Sequence, residues 1–280
     1  MDADSKDLAG SQAARVQDHY SSGTAMRRIE DALRAAGKNP DRLDPFDLAL
    51  IEDFHSSGRA ATVELIRLAG VRPEHRVLDA GTGIGGTARM LAHEIGCRVT
   101  AVDLTPEFCQ IAERLDRAVG LQELIEVKQA DVLELPFEEG TFDVLISQHV
   151  QMNIADKQAL YAEARRVLKP GGRLAIWDVT AGGEQPIRFP VPWAESPELS
   201  HLVTPAELRE LVLAAGFDVL VWNDLTDSAA AFMRQVNSGP PPALGLHLLV
   251  ADFAVKGPNL IENLEQNRAR LIQAVLQARQ

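Results

Sequence analysis

Three aspartates close three successive apolar runs of this chain: Asp79 in "RVLDAG", Asp103 in "CRVTAVDL" and Asp131 in "LIEVKQAD". Carboxylates so placed accept hydrogen bonds from hydroxyl and amine groups, or stand opposite a cation. After the first lies a glycine turn. Gly81, Gly83 and Gly86 give G-x-G-x-x-G, while Gly81, Gly83 and Gly85 give G-x-G-x-G. Either spacing lets a nucleotide-like ligand approach the backbone, so the glycines alone choose no ligand. Asp79, two residues before Gly81, would repel a pyrophosphate and suit a ligand bearing a cationic amine; it also has a plainer reading, as a turn former bonding backbone amides. Asp103 stands about 20 residues past the turn, where an acid accepts from ribose hydroxyls. Asp131 is placed to accept from the exocyclic amine of a base.

Proton-transfer candidates come next. His149 directly follows Gln148 at the end of "TFDVLISQ", and an imidazole there could take a substrate proton at neutral pH. Asp178 ends "RLAIWD" and is expected to face the same crevice, where it would orient the histidine or pair with a cationic amine. A wall-forming histidine and a solvated strand-end acid are the alternatives. Upstream, "DFHSSGR" offers His55 and Arg59 for a carboxylate of the ligand or for the acceptor. Phe189, Trp193 and His201 lie in or just after a long proline-rich stretch, Thr180 to Ser200, of the kind that closes over binding sites. Trp193 could stack on a cation or ring, or simply pack. The seven histidines show no H-x-x-x-H spacing, so no metal site is expected. No G-x-S-x-G elbow is present either.

These residues need a frame. "RVLDAG", "CRVTAVDL", "LIEVKQAD", "TFDVLISQ" and "RLAIWDV" read as strands. They alternate with the helical stretches "GGTARMLAHEI", "PEFCQIAERLDRAVG" and "DKQALYAEARRVL". That alternation implies right-handed βαβ units and a mostly parallel sheet with helices on both faces. The three acids then line the carboxyl edge of the sheet, where open α/β sheets bind ligands. "TPAELRELVLAAGF" opens with a capping box, Thr204 to Glu207, and leads into "FDVLVWNDL". The final stretch, 268–277, "RARLIQAVLQ", has helical propensity yet could close the sheet as a strand.

The chain divides into an N-terminal helical cap, 1–57, and an α/β domain, 58–280, with a lid-like insertion at about 180–203. With 46% hydrophobic and 24% charged residues it has the composition of a globular protein. A net charge of −12 without a basic run argues against a nucleic-acid partner. No stretch is long and apolar enough to span a membrane, and "MDADSKDLAG" carries no leader pattern, so a cytoplasmic location is expected. Cys97 and Cys109 read as buried thiols.

Taken in order, "VLDAGTGIGG", "AVDLTPEF", "QADVLELPFEEGTFDVLISQHV" and "EARRVLKPGGRLAIWD" resemble the successive motifs of class I S-adenosylmethionine-dependent methyltransferases of the small-molecule type, including the sarcosine/dimethylglycine and ubiquinone/menaquinone branches. The resemblance implies a Rossmann-like seven-stranded sheet of order 3-2-1-4-5-7-6, and so favours strand for 268–277. It implies S-adenosyl-L-methionine as cofactor and a small-molecule acceptor; the acidic crevice leans toward an amine nitrogen, with a phenol or quinone second, and a monomer or homodimer is expected. A binding protein without transfer activity and an NAD-dependent oxidoreductase are the other classes. Carried over by position, Asp79, Ala80, Gly81, Thr82, Gly83 and Gly85 cradle the methionine part. Asp103 holds the ribose, Leu104, Asp131 and Val132 flank the adenine, and Gln148 faces the sulfur. Tyr20, in "DHYSSG", resembles a tyrosine folded over the cofactor. One departure stands out: many relatives carry histidine where this chain has Asn153.

Overall fold

The computed structural model describes residues 3–52, 58–239 and 244–280. Strand β1 (Arg76–Ala80) is the third strand of a seven-stranded sheet. It pairs in parallel with β2 (Arg98–Asp103) on one side and β4 (Phe142–Gln148) on the other. Beyond β2 comes β3 (Ile125–Gln129); beyond β4 comes β5 (Leu168–Ala181), both parallel. The chain then reverses. β6 (Phe217–Asp224) forms the edge and β7 (Ala269–Ala278) inserts antiparallel between β5 and β6, which gives the order 3-2-1-4-5-7-6.

The C-terminal stretch is thus a strand, against its helical propensity. Its apolar side chains alternate between the two layers of core: Ala269, Leu271 and Val275 on one face, Ile272, Ala274 and Leu276 on the other. A slot between two strands rewards a period of two with burial on both faces, and that outweighs a few tenths of a kcal/mol per residue of local preference.

Before the sheet come α1 (Ala3–Tyr20), α2 (Ala25–Ala35), the short α3 (Ala49–Glu52) and α4 (Gly58–Ala69). The glycine turn opens α5 (Gly86–Met90), which runs on through a wider turn to Ile95. α6 (Pro106–Ala118) starts with proline at its first position, α7 (Lys157–Val167) is capped by Asp156, and α8 (Pro205–Ala214) has the expected capping box. Two further helices, α9 (Thr226–Asn237) and α10 (Phe253–Glu265), are inserted between β6 and β7. Leu244 and Leu249, from the connection between them, join a cluster with Ile29 and Leu33 of α2 and Ile111 and Leu115 of α6. The insertion therefore reaches over the carboxyl edge of the sheet to meet the N-terminal helices. Among the described residues, no helix is long and apolar enough to cross a membrane.

Candidate active site

Beneath the meeting of insertion and N-terminal helices lies a cavity of about 740 Å³, large on the ~300–1,000 Å³ scale of small-molecule sites. Its floor is the end of β1, β2 and β4. Gly81, Gly83 and Gly85 all have positive φ, so the turn winds through conformations that cost a side chain energy. At Gly81 space is closed as well: a Cβ would stand 2.2 Å from Val150 Cγ2. Asp79 is buried and its Oδ2 accepts from the Thr82 hydroxyl at 2.6 Å. Asp103 is also buried. Its Oδ2 accepts from the Gly83 amide and its Oδ1 from the Thr105 amide, both at 2.8 Å. Burial pushes the Asp79 carboxyl up to about 7 and the Asp103 carboxyl up to about 6. A cation brought between them would reverse the cost of that burial.

The turn is locked from behind by a pair that sequence reasoning missed. Arg89, on α5, donates to Ile84 O at 2.6 Å and pairs with Asp116 of α6 at 2.8 Å, both side chains buried. Spacing gives no hint of it, since the partners lie on different helices. Asp131 stands just past β3, its Oδ1 accepting from the Leu133 amide at 2.9 Å, an Asx turn at the cavity rim.

At the end of β4, Gln148 donates to Thr87 Oγ1 at 2.8 Å. His149 follows with φ 55°, a left-handed backbone rare for a non-glycine residue, and its amide donates to Trp177 O at 2.8 Å. Both line the cavity. Asn153 is a hub: Oδ1 accepts from the Tyr20 hydroxyl at 3.0 Å, and Nδ2 donates to Trp193 O at 2.8 Å and Leu199 O at 2.9 Å. Its carbonyl accepts from Gln12 Nε2 at 2.8 Å. An imidazole could not supply two donors and an acceptor in this arrangement, which accounts for asparagine at this position.

Residues 78–176 match the family model described as a methyltransferase domain. They form a methyltransferase domain. The glycine/sarcosine/dimethylglycine N-methyltransferase of Actinopolyspora halophila is 31% identical over 176 residues, 63% of this chain and 31% of that protein. The sarcosine/dimethylglycine N-methyltransferase of Halorhodospira halochloris is 32% identical over 154 residues, 55% of each. The match thus spans about half or less of these curated relatives. The crystal structure of geranyl diphosphate C-methyltransferase from Streptomyces coelicolor A3(2), in complex with Mg2+, geranyl diphosphate and S-adenosyl-L-homocysteine, has a TM-score of 0.64 at 18% identity, over 78% of each chain. That likeness is one of fold.

Of the residues singled out from sequence, the methyltransferase domain and its N-terminal helices bring Tyr20, Arg59, Asp79, Gly81, Thr82 and Gly83 to one cavity. Asp103, Leu104, Asp131, Val132, Gln148 and His149 join them there, as do Asn153 and Trp193. Arg59 pairs with Glu94 and stacks over Phe46, 5.3 Å from the ring centroid. Ala80 and Gly85 shape the turn without lining the cavity. Three further expectations part from the structure. Asp178 does not face the crevice: it is buried behind it, accepting from the Val150 and Gln151 amides at 3.3 Å each. Burial raises it to about 7. Phe189 packs into the core instead of the cavity wall, and His201 is not among the residues lining the cavity; its backbone amide donates to Met152 O and its carbonyl accepts from Lys157 Nζ, both at 2.8 Å. His55 lies outside the described residues.

The insertion was missed altogether. Phe232, Met233 and Val236 of α9, Val250, and Phe253 and Leu260 on α10 all line the cavity. Two antiparallel neighbours such as β6 and β7 need only a hairpin to connect them, so the length of chain between them was the signal available.

Proposed function

We propose that this chain transfers a methyl group from S-adenosyl-L-methionine to a small-molecule acceptor, an amine nitrogen being the first reading. One observation carries it: two buried carboxylates, both raised by burial, beside a glycine turn whose first glycine leaves no room for a Cβ. Such a site favours a cationic, amino-acid-bearing nucleoside and disfavours the pyrophosphate of NAD. The N-methyltransferase names of the two curated relatives support the amine.

In this reading Asp79 and the turn from Gly81 to Gly85 hold the methionine part and Asp103 the ribose. Leu104, Asp131 and Val132 take the adenine, with Tyr20 covering and Arg59 at the mouth. When bound, the cofactor supplies a methyl group on a sulfonium, already a good leaving group. The chain's own task is to align the acceptor and keep water out. His149 is the group that takes a proton where the acceptor arrives protonated, and its left-handed backbone presents it to the cavity. Asp178 holds the amides of the two residues after His149, Val150 and Gln151, and is a positioning residue. We further read the protein as cytoplasmic, a monomer or homodimer, with no nucleic-acid partner.

Calorimetry with S-adenosylmethionine and with NAD tests the cofactor. Tight NAD binding without S-adenosylmethionine binding would overturn the proposal. Labelled donor with a panel of amines and phenols tests transfer. Methylation of phenols alone would favour the second reading, O- or C-methylation, which the apolar wall formed by α9 and α10 recommends. Cofactor binding with no transfer to any acceptor would favour a binding protein.

A further inference from the structure

The cavity has two unlike sides. Every carboxylate among its described lining residues, Asp79, Asp103 and Asp131, belongs to the strand ends. On the side built by α9, α10 and the Trp193 loop, the wall is mostly apolar, with Met152, Trp193, Phe232, Met233, Val250 and Phe253; the polar side chains of the inserted segment that line it, Asn237 and His247, include no carboxylate. The arginine at the mouth, Arg59, is held by Glu94 and so brings little net charge inward. Placing the carboxylate of a short amino acid, or a phosphate, against the apolar part of this wall costs several kcal/mol unless a partner comes with it. The wall rewards hydrocarbon instead.

The apolar surface also continues outward. Phe232 is 41% exposed and Val236 54% exposed, yet both line the cavity, so α9 carries an apolar strip from the solvent to the interior. Exposed apolar side chains that reach a cavity mouth are a route by which a hydrophobic molecule can enter without being stripped of contact. Gly58 lies against this strip, a Cβ there meeting Phe232 Cζ at 3.1 Å.

We propose that the helices inserted between β6 and β7 form the acceptor subsite, and that it takes a neutral acceptor with a hydrocarbon body, the nucleophilic atom entering first. The proposal rests on the methyltransferase reading of the same cavity and narrows its acceptor. It sets this chain apart from an enzyme for small zwitterions or phosphorylated amines. Specificity then resides in Phe232, Met233, Val236, Val250 and Phe253, none of which touches the glycine turn's carboxylates in sequence or through a hydrogen bond.

The test uses the full chain saturated with S-adenosylhomocysteine and a series of 4-alkylanilines, from ethyl to octyl, with sarcosine and phosphoethanolamine alongside. Calorimetry should show one site whose affinity rises about fourfold for each methylene that becomes buried, with sarcosine and phosphoethanolamine far weaker. Because Val236 and Phe232 are exposed, Val236→Lys and Phe232→Ser should fold; each should flatten the series at least tenfold at the octyl end while S-adenosylhomocysteine affinity stays unchanged. A flat series, tighter binding of sarcosine or phosphoethanolamine, or variants that leave the series intact would overturn the proposal. Failure of S-adenosylhomocysteine to bind wild type would instead sink the methyltransferase reading itself.

Discussion

The strand-end side of the cavity and the inserted-helix side are built on opposite principles. On the first, the polar side chains are held by definite partners: Asp79 by Thr82, Asp103 by two backbone amides, Gln148 by Thr87. Position there is fixed by hydrogen bonds of definite direction, which suits a ligand with many polar groups at set distances. On the second, Phe232, Met233, Val250 and Phe253 present surface without direction, and apolar contact tolerates changes of shape far better than a hydrogen-bonded group tolerates loss of its partner. The difference separates what must be constant in the reaction from what is free to vary.

The strongest attack on this contrast is Gly81→Ala. The substitution meets both a φ of 78° and Val150 Cγ2 at 2.2 Å, so the turn must move. Cofactor affinity should fall at least 100-fold on the order of 3 kcal/mol, as read by calorimetry, with the circular dichroism spectrum retained. Adding Val150→Ala removes the clash but not the φ strain, so the double variant should recover part of the loss. Full recovery would mean that crowding alone demands the glycine.

Asp103→Ala should come next, weakening cofactor binding by about 10- to 100-fold, the range for a hydrogen bond to a charged group. It also leaves the Gly83 and Thr105 amides without their acceptor. Acceptor-side discrimination among alkylanilines should be unaffected once cofactor product is saturating. A changed alkyl series in this variant would erase the division between the two sides.

That division also explains what could be read in advance. The polar side was legible because its chemistry is local: an acid at a strand end, a glycine at a turn, each set by a few neighbouring residues. The sheet order followed from the resemblance, and the seventh strand needed it, because "RARLIQAVLQ" becomes a strand only where two other strands supply the walls. Asp178 misled because β5 runs on past it to Ala181, so it sits inside the strand and not at the carboxyl edge, its side chain held beneath Val150 and Gln151. Arg89 with Asp116, and the apolar wall of α9 and α10, depend on packing between distant segments and leave no periodic trace.

A pH series probes the same contrast more gently. Asp79, Asp103 and Asp178 are raised to about 7, 6 and 7 by burial, against 3.8 for the free side chain. The folded protein therefore holds protons that the unfolded chain has released between about pH 4 and 7, and its stability falls as pH rises through that window. Carboxylates held low, such as Asp47, Asp143 and Asp224, act the other way but lose their effect only as pH falls toward 4 and below. From pH 5 to 7.5 the apo-protein's melting temperature should decline by several degrees. Saturating S-adenosylmethionine, which favours the ionised acids, should flatten or invert that slope, and its affinity should rise over the same interval. Asp178→Asn should remove part of the apo decline while leaving the rise in affinity, since Asp178 lies behind the cavity. A variant that abolished the rise would put Asp178 back at the ligand.

Tyr20→Phe carries the smallest expected effect and bears on the seam between the sides. The Tyr20 hydroxyl donates to Asn153, whose amide in turn holds the carbonyls of Trp193 and Leu199. Burial raises the Tyr20 hydroxyl well above its ordinary value, so it stays protonated and remains a donor across the working range. Losing it should cost about 0.5–1.5 kcal/mol, two- to tenfold in affinity. The informative reading is where that loss falls. Tyr20 lines the cavity beside Leu104 and Phe108, yet its hydrogen bond runs to the hub that holds the acceptor-side loop. A loss confined to cofactor affinity means the ring covers the nucleoside and the hydroxyl is incidental. An equal loss in cofactor and alkylaniline affinity, absent when Asn153 is already alanine, means the bond couples two halves that are otherwise independent. The double-mutant cycle Tyr20→Phe with Asn153→Ala measures that coupling directly, and the hydrogen-bond geometry predicts that it is not zero.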